Sequence, residues 1–169
     1  VIFLNKHRKH KSKKPNRKEI LTDNHTRKWY YDACALEGEK VYNEMYTNTK
    51  FKIYPLVSHL SFGEAYGNVL DKGKKQISDF NRLISTVKEH CGLKVVGNDG
   101  IKSIYNKIQE INSRLSLTDS IHLATAIKNK CEVFKTRDGD LTNLSCVCKN
   151  KFAKFAKSKG CTNFNIQKV

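Results

Sequence analysis

Five short apolar runs, separated by longer stretches with helical spacing, constrain the fold of this 169-residue chain more than any other feature. The runs fall at 29–33, 51–57, 93–96, 131–135 and 164–169. Between them, apolar side chains recur every three or four residues. Val41 and Met45 share a face with Leu36. Ile77, Phe80, Leu83, Ile84 and Val87 form one stripe, and Ile101, Ile104, Ile108 and Ile111 form another. Further helices are expected over 58–70, from Thr118 or Asp119 through Ile127, and over 149–159. Ser58 suits an N-cap, and Cys91-Gly92 suits a helix end. Strands alternating with helices at this spacing predict an α/β fold, with a central, mostly parallel sheet flanked by helices on both faces. Pro55 marks the second run as an irregular or edge strand, because proline cannot donate to a ladder.

Four acids punctuate the edges of these elements. Asp32 follows Trp29-Tyr30-Tyr31, Glu64 lies in the segment after Ser58, Asp119 follows Leu117-Thr118, and Asp138 follows Val133 to Arg137. A carboxylate beside an apolar element is costly to desolvate unless a cation or hydrogen-bond donors compensate it. In a parallel sheet, ligands bind beyond the C-terminal ends of the strands, at the point where strand order reverses. Asp32 and Asp138 would project there together, and Glu64 and Asp119 would join them from the first turns of helices. Each acid also has an ordinary role. Asp119 suits a helix N-cap, Asp138 a turn before Gly139, and Glu64 a solvent-facing helix position. Asp32 is the hardest to account for in that way, since it interrupts an apolar strand. His122, one helical turn after Asp119, is expected to be packed or hydrogen-bonded rather than catalytic.

The chain around these acids is basic. It holds 32 Lys and Arg against 16 Asp and Glu, a formal charge of +16. Residues 1–28 carry a net +8 and lack apolar periodicity, so they read as a flexible basic arm, with the domain spanning 29–169. A charge of this size predicts a polyanionic partner, nucleic acid first. The length suits one domain with a packed core. Six cysteines stand at 34, 91, 131, 146, 148 and 161 without a Cys-x-x-Cys pair, so reduced thiols are expected rather than a zinc ribbon. Cys146, Cys148 and Cys161 are the one spacing that invites a metal reading. No run of 18 apolar residues occurs, and Val1-Ile2-Phe3-Leu4 is too short for a signal-peptide core. A cytoplasmic protein with no membrane partner is expected.

Four segments, in order, resemble the PIN domain of the VapC-like nucleases. They are Asp32-Ala33-Cys34-Ala35-Leu36, Ser58 through Glu64, Leu117 through Ala126 with its Ile-His-Leu-Ala-x-Ala pattern, and Thr136-Arg137-Asp138-Gly139-Asp140. The resemblance spans Trp29 to Val169. It implies a single PIN-like domain that hydrolyses RNA phosphodiesters with Mg2+ or Mn2+. Asp32, Asp119 and Asp138 are then the metal ligands, and Glu64 orients or deprotonates a water. Asp140 and Thr136 are auxiliary. Phosphate contacts are expected from Lys6, Arg8, Lys9, Lys11, Lys13, Lys14 and Arg137. A cognate antitoxin protein and a homodimer are the implied protein partners. The chain departs from many relatives at Ala33, where they carry Ser or Thr. The segment from Thr142 to Lys149 looks longer than the usual connection, and the arm has no counterpart in small toxins. Two other readings fit the same residues: a ribosomal-RNA-processing PIN nuclease, which the arm suits, and a non-catalytic RNA-binding scaffold. Removing residues 1–28 is expected to weaken RNA binding and to flatten its dependence on salt. An unchanged slope in a salt titration would show that the arm touches no phosphate.

Overall fold

The computed structural model describes residues 27–37 and 39–169. Five strands form one sheet: β1 (Arg27–Tyr31), β2 (Ile53–Ser58), β3 (Lys94–Val96), β4 (Val133–Thr136) and β5 (Asn165–Lys168). Their order is β3-β2-β1-β4-β5 and every pairing is parallel. The chain steps outward from β1 through β2 to β3, then returns to the other side of β1 for β4 and β5. Strand order therefore reverses between β1 and β4, which opens a crevice at their C-terminal ends. The α/β architecture expected from the alternation is the one observed.

Neighbouring residues on each strand face opposite layers. Tyr30, Leu56 and Phe134 enter one core, together with Ile104, Ile108, Leu123, Ile127 and Phe152. Tyr31 and Val57 enter the other, with Leu36, Val41, Met45, Phe80, Ile84 and Val87. The first layer is built by α5 (Lys102–Ile111), α6 (Leu117–Lys128) and α8 (Cys146–Ser158). The second is built by α1 (Ala33–Leu36), α2 (Glu39–Thr49), α3 (His59–Leu70) and α4 (Lys74–Cys91). A further short helix, α7 (Gly139–Thr142), follows β4. Gly92 closes α4 in the left-handed region, with φ 66°, a conformation that glycine adopts without a Cβ clash.

Several local expectations are corrected. β1 starts at Arg27, so the strand takes in the last two residues assigned to the arm, and it ends at Tyr31. Asp32 and Ala33 lie beyond it, as the N-cap and first residue of α1. The arm residues Lys6, Arg8, Lys9, Lys11, Lys13 and Lys14 lie outside the described residues. β2 is an interior strand, although it contains Pro55. Pro55 pairs with Trp29 on the β1 side, whereas pairing with β3 begins only at Leu56, so on that side the strand is still an edge at the proline. The N-cap of α6 is Ser116 rather than Thr118 or Asp119. α8 begins at Cys146, three residues before the expected start. With α7 before it, the connection shrinks to 143–145 and the apparent length of the segment after Asp138 is absorbed by helix. Among the described residues, no helix is long and apolar enough to cross a membrane.

The layer carrying Asp119 depends on Leu123, which is fully buried. Leu123→Ala is expected to destabilise the domain by about 3 kcal/mol through lost burial and an unfilled cavity. Urea titration would measure this, and a loss below ~1 kcal/mol would mean that α6 closes over the gap.

Candidate active site

Asp32 and Asp138 reach the crevice because a strand ends and a helix begins there. Asp32 caps α1, its Oδ1 accepting from Ala35 N at 2.8 Å. Asp138 caps α7, its Oδ1 accepting from Asp140 N at 2.6 Å and from Leu141 N at 3.2 Å. In both, capping commits one carboxylate oxygen to the helix and aims the group at the strand ends. Asp119 sits in the first turn of α6. Ser116 Oγ accepts from Asp119 N at 3.0 Å and donates to Asp119 Oδ2 at 2.6 Å. Ser and Asp three residues apart thus brace each other much as in a capping box.

Asp32, Ala33, Cys34, Glu64, Asn68, Thr118, Asp119 and His122 line one cleft of about 260 Å³. Three of the four acids picked out in the sequence therefore meet on a common surface. Asp138 lies outside that lining, yet its charge acts on Asp119 and on Cys34. Asp140 is exposed, and its field also reaches Asp119. Thr136 is buried. Its Oγ1 accepts from Asp138 N at 2.8 Å, and its hydrogen bond to Asp32 favours the carboxylate there. Arg137 is exposed beside Asp138.

Burial dominates the electrostatics. Asp32 is 3% exposed, and desolvation pushes its pKa up to about 6, against the opposing hydrogen bonds from Thr136 and Ala35 N and the nearby His122, with Asp119 adding to the rise. Asp119 is also raised, first by desolvation and then by Asp138 and Asp140, while Ser116 and His122 oppose. Cys34 is pushed up to about 11 by burial and then by Asp32, Asp138, Glu37 and Asp119. Its thiol therefore stays protonated near neutral pH and is no nucleophile. Among the described residues, no three His, Cys, Asp or Glu groups close into a metal cage, and Cys146, Cys148 and Cys161 are free thiols.

Three cleft residues were not anticipated as such: Asn68, Cys34 and Thr118, the last expected only as a helix start. Asn68 lies one turn beyond Glu64 on α3, and helical spacing from Glu64 would have found it. It donates to Glu37 Oε1 at 2.6 Å, and Lys72 donates to Glu37 Oε2 at 3.1 Å. Cys34 lies two residues past Asp32, at a position whose side chain only the turn into α1 defines. His122 is buried, as expected of a packed histidine, and it also lines the cleft through a contact with Glu64 (Nε2 to Oε2, 2.9 Å).

A family model of the PIN domain matches residues 50–145, more than half of the chain. The chain belongs to the PIN domain family. PIN domains are generally nucleases. The match takes in Glu64, Asp119, Asp138 and Asp140, and Asp32 joins them through the β1/β4 pairing. Two solved structures are similar in fold. One is VapBC2 from Rickettsia felis bound to a DNA fragment from their promoter, at 12% identity and a TM-score of 0.52, covering 84% of this chain and 98% of that one. The other is PAE2754 from Pyrobaculum aerophilum, at 14% identity and 0.51, covering 83% and 100%. At these identities the likeness is one of fold. No curated protein sequence matched the chain.

The raised carboxyl of Asp32 has a definite consequence for stability in this PIN domain without divalent cations. Its folded pKa of about 6 exceeds the ordinary 3.8, so the folded state holds the proton more tightly. Stability then falls as pH rises from about 4 through about 6, and the deficit persists above. Asp32→Asn is expected to stabilise the EDTA-treated protein at pH 7.5 by on the order of 2–3 kcal/mol, with no gain at pH 3.5. Chemical melts at both pH values would show it, and an equal gain at both would argue against burial of the charge as the cause.

Proposed function

We propose that this PIN domain is a metal-dependent endoribonuclease, of the kind that forms the toxin of a VapBC pair. The observation that carries this reading is the cleft at the β1/β4 switch, lined by Asp32, Glu64 and Asp119. The donors are hard carboxylate oxygens, the type that Mg2+ and Mn2+ take. Mg2+ keeps most of its waters and needs only one or two carboxylates, so the lack of a closed three-residue cage among the described residues is compatible with it. The buried Asp32, kept protonated up to about pH 6 by desolvation, is a group whose ionised form a nearby cation would favour.

Asp32, Asp119 and Asp138 are the residues that would hold the ion. Bound there, a divalent ion supplies Lewis-acid polarisation of a phosphoryl oxygen and charge neutralisation in the transition state. Glu64 orients the attacking water and takes its proton. Thr136 keeps Asp32 and Asp138 in register, and Asp140 adds to the negative field. RNA phosphates are held by exposed Arg137 and by the C-terminal basic region, where six lysines and no acid occur between Leu141 and Val169. The arm, with Lys6, Arg8, Lys9, Lys11, Lys13 and Lys14, extends this phosphate-binding surface. The similarity in fold to a VapBC2 assembly supports a cognate antitoxin as partner, and a homodimer and a cytoplasmic location belong to the same reading.

Purified protein with Mg2+ or Mn2+ is expected to cleave single-stranded RNA internally, and EDTA to stop it. Asp119→Asn is expected to lower the rate about 100-fold or more. Equal residual cleavage by wild type and Asp119→Asn on a gel-resolved time course would overturn the nuclease assignment.

A further inference from the structure

A polar network lies beneath the cleft, and the four acids do not account for it. His122 is 2% exposed, and its two ring nitrogens face different partners. Nε2 lies 2.9 Å from Glu64 Oε2. Nδ1 lies 3.0 Å from Tyr30 Oη and 3.2 Å from Ser61 Oγ. Tyr30 O–H donates to Ser58 Oγ at 2.9 Å and lies 2.8 Å from Ser61 Oγ. The two serine oxygens are 3.0 Å apart. Tyr30, Ser58 and Ser61 are completely buried. Four separate segments meet here: β1 gives Tyr30, the end of β2 gives Ser58, the first turn of α3 gives Ser61, and α6 gives His122. Such a buried cluster is costly unless every member is paired.

With a neutral imidazole, one proton arrangement satisfies all of them. Ser58 Oγ accepts from Tyr30 O–H and from Ser61 N, at 2.9 Å each. Its own proton goes to Ser61 Oγ, and the Ser61 proton goes to Nδ1. The imidazole proton then sits on Nε2, facing Glu64, whose ionised carboxylate can only accept. We propose that His122 is a positioning residue for Glu64: its Nε2–H anchors Oε2 and leaves Oε1 as the oxygen presented to the cleft. The hydroxyl trio fixes the ring, much as an outer partner fixes a ligating histidine. Glutamate has three rotatable side-chain bonds, and the half-exposed Glu64 would otherwise sample several orientations over the water it acts on. His122 is also one turn from Asp119, so the contact ties Glu64 to the helix that carries Asp119.

The inference rests on the nuclease reading of Glu64, and the test separates the two. In Mg2+-dependent RNA cleavage, His122→Leu is expected to lower kcat by about 10-fold or more with little change in KM. His122→Gln, whose amide N–H can replace Nε2–H, is expected to recover most of that loss. In a Glu64→Gln background, His122→Leu is expected to add no further loss. Glutamine no better than leucine, or an undiminished effect in the Glu64→Gln background, would overturn the proposal. A second readout needs no activity. In 15N-histidine spectra of the full chain without metal, His122 is expected to carry its proton on Nε2, and that signal is expected to shift on Glu64→Gln. Observation of the Nδ1–H tautomer would overturn the anchor, whatever the cleavage result. Wild-type protein that cleaves no RNA but shows the Nε2–H contact would sink the nuclease reading and leave the anchor standing.

Discussion

The arrangement of the site depends on one buried carboxylate. Asp32 stands where β1 stops, in the middle of the sheet, with 3% exposure. Burial takes most of the solvent from the group, and the protein supplies substitutes: Ala35 N from the helix that Asp32 itself caps, and the Thr136 hydroxyl from the adjacent strand. These donors do not fully offset desolvation, and the group is left with a raised pKa. An under-compensated buried acid is a stability deficit that folding alone does not explain. The deficit is deepened by Asp119, which is raised for the same reasons.

Topology explains why the deficits collect in one place. The chain goes β1, β2, β3 in one direction and returns for β4 on the far side of β1. The segments leaving β1 and β4 must therefore diverge, α1 into one layer and α7 toward the other side of the crevice. Each departing helix needs an N-cap, and aspartate is among the best residues for that job. In the proposed reading, capping and metal binding would be joined in Asp32 and Asp138. The cap fixes Oδ1 on backbone N–H groups, which orients the carboxylate without a long side chain to order.

Much of this was legible in the sequence, because the informative features are local. Helical stripes such as Ile77, Phe80, Ile84 and Val87 declare their own period, and Ser58 precedes its helix in the pattern of an N-cap. The apolar run at 29–33 placed Asp32 near the C-terminal end of a strand. The features that were missed are set by other parts of the chain. Pro55 sits in an interior strand because β3 is too short to pair with it, and nothing near Pro55 records the length of β3. α1 and α7 are four residues long, below the length at which periodicity is visible. Ser116 takes the cap that Thr118 or Asp119 also suited, since all three residue types accept from backbone N–H groups. The contacts of His122 with Tyr30, Ser61 and Glu64 span 58 to 92 residues of sequence. Only the assembled sheet brings them together.

The charge distribution then acquires a physical sense. Acids make up half the number of basic residues, and three of them, Asp32, Glu64 and Asp119, line one cleft. Lysines fill the segment that closes the fold, with none of the 16 acids after Asp140. On α8, Lys151, Lys154 and Lys157 stand exposed while Phe152 and Ala156 face the core. A polyanion approaching such a surface is attracted by the body and repelled by the cleft. At physiological salt, exposed charges are screened over about 8 Å, so the two fields act separately rather than cancelling. In the proposed reading, a phosphate would be held by the basic surface while the acids remain too negative to admit it unaided. A bound divalent cation is the change that would invert the local sign, turning a repelling cleft into a receiving one without any movement of the fold.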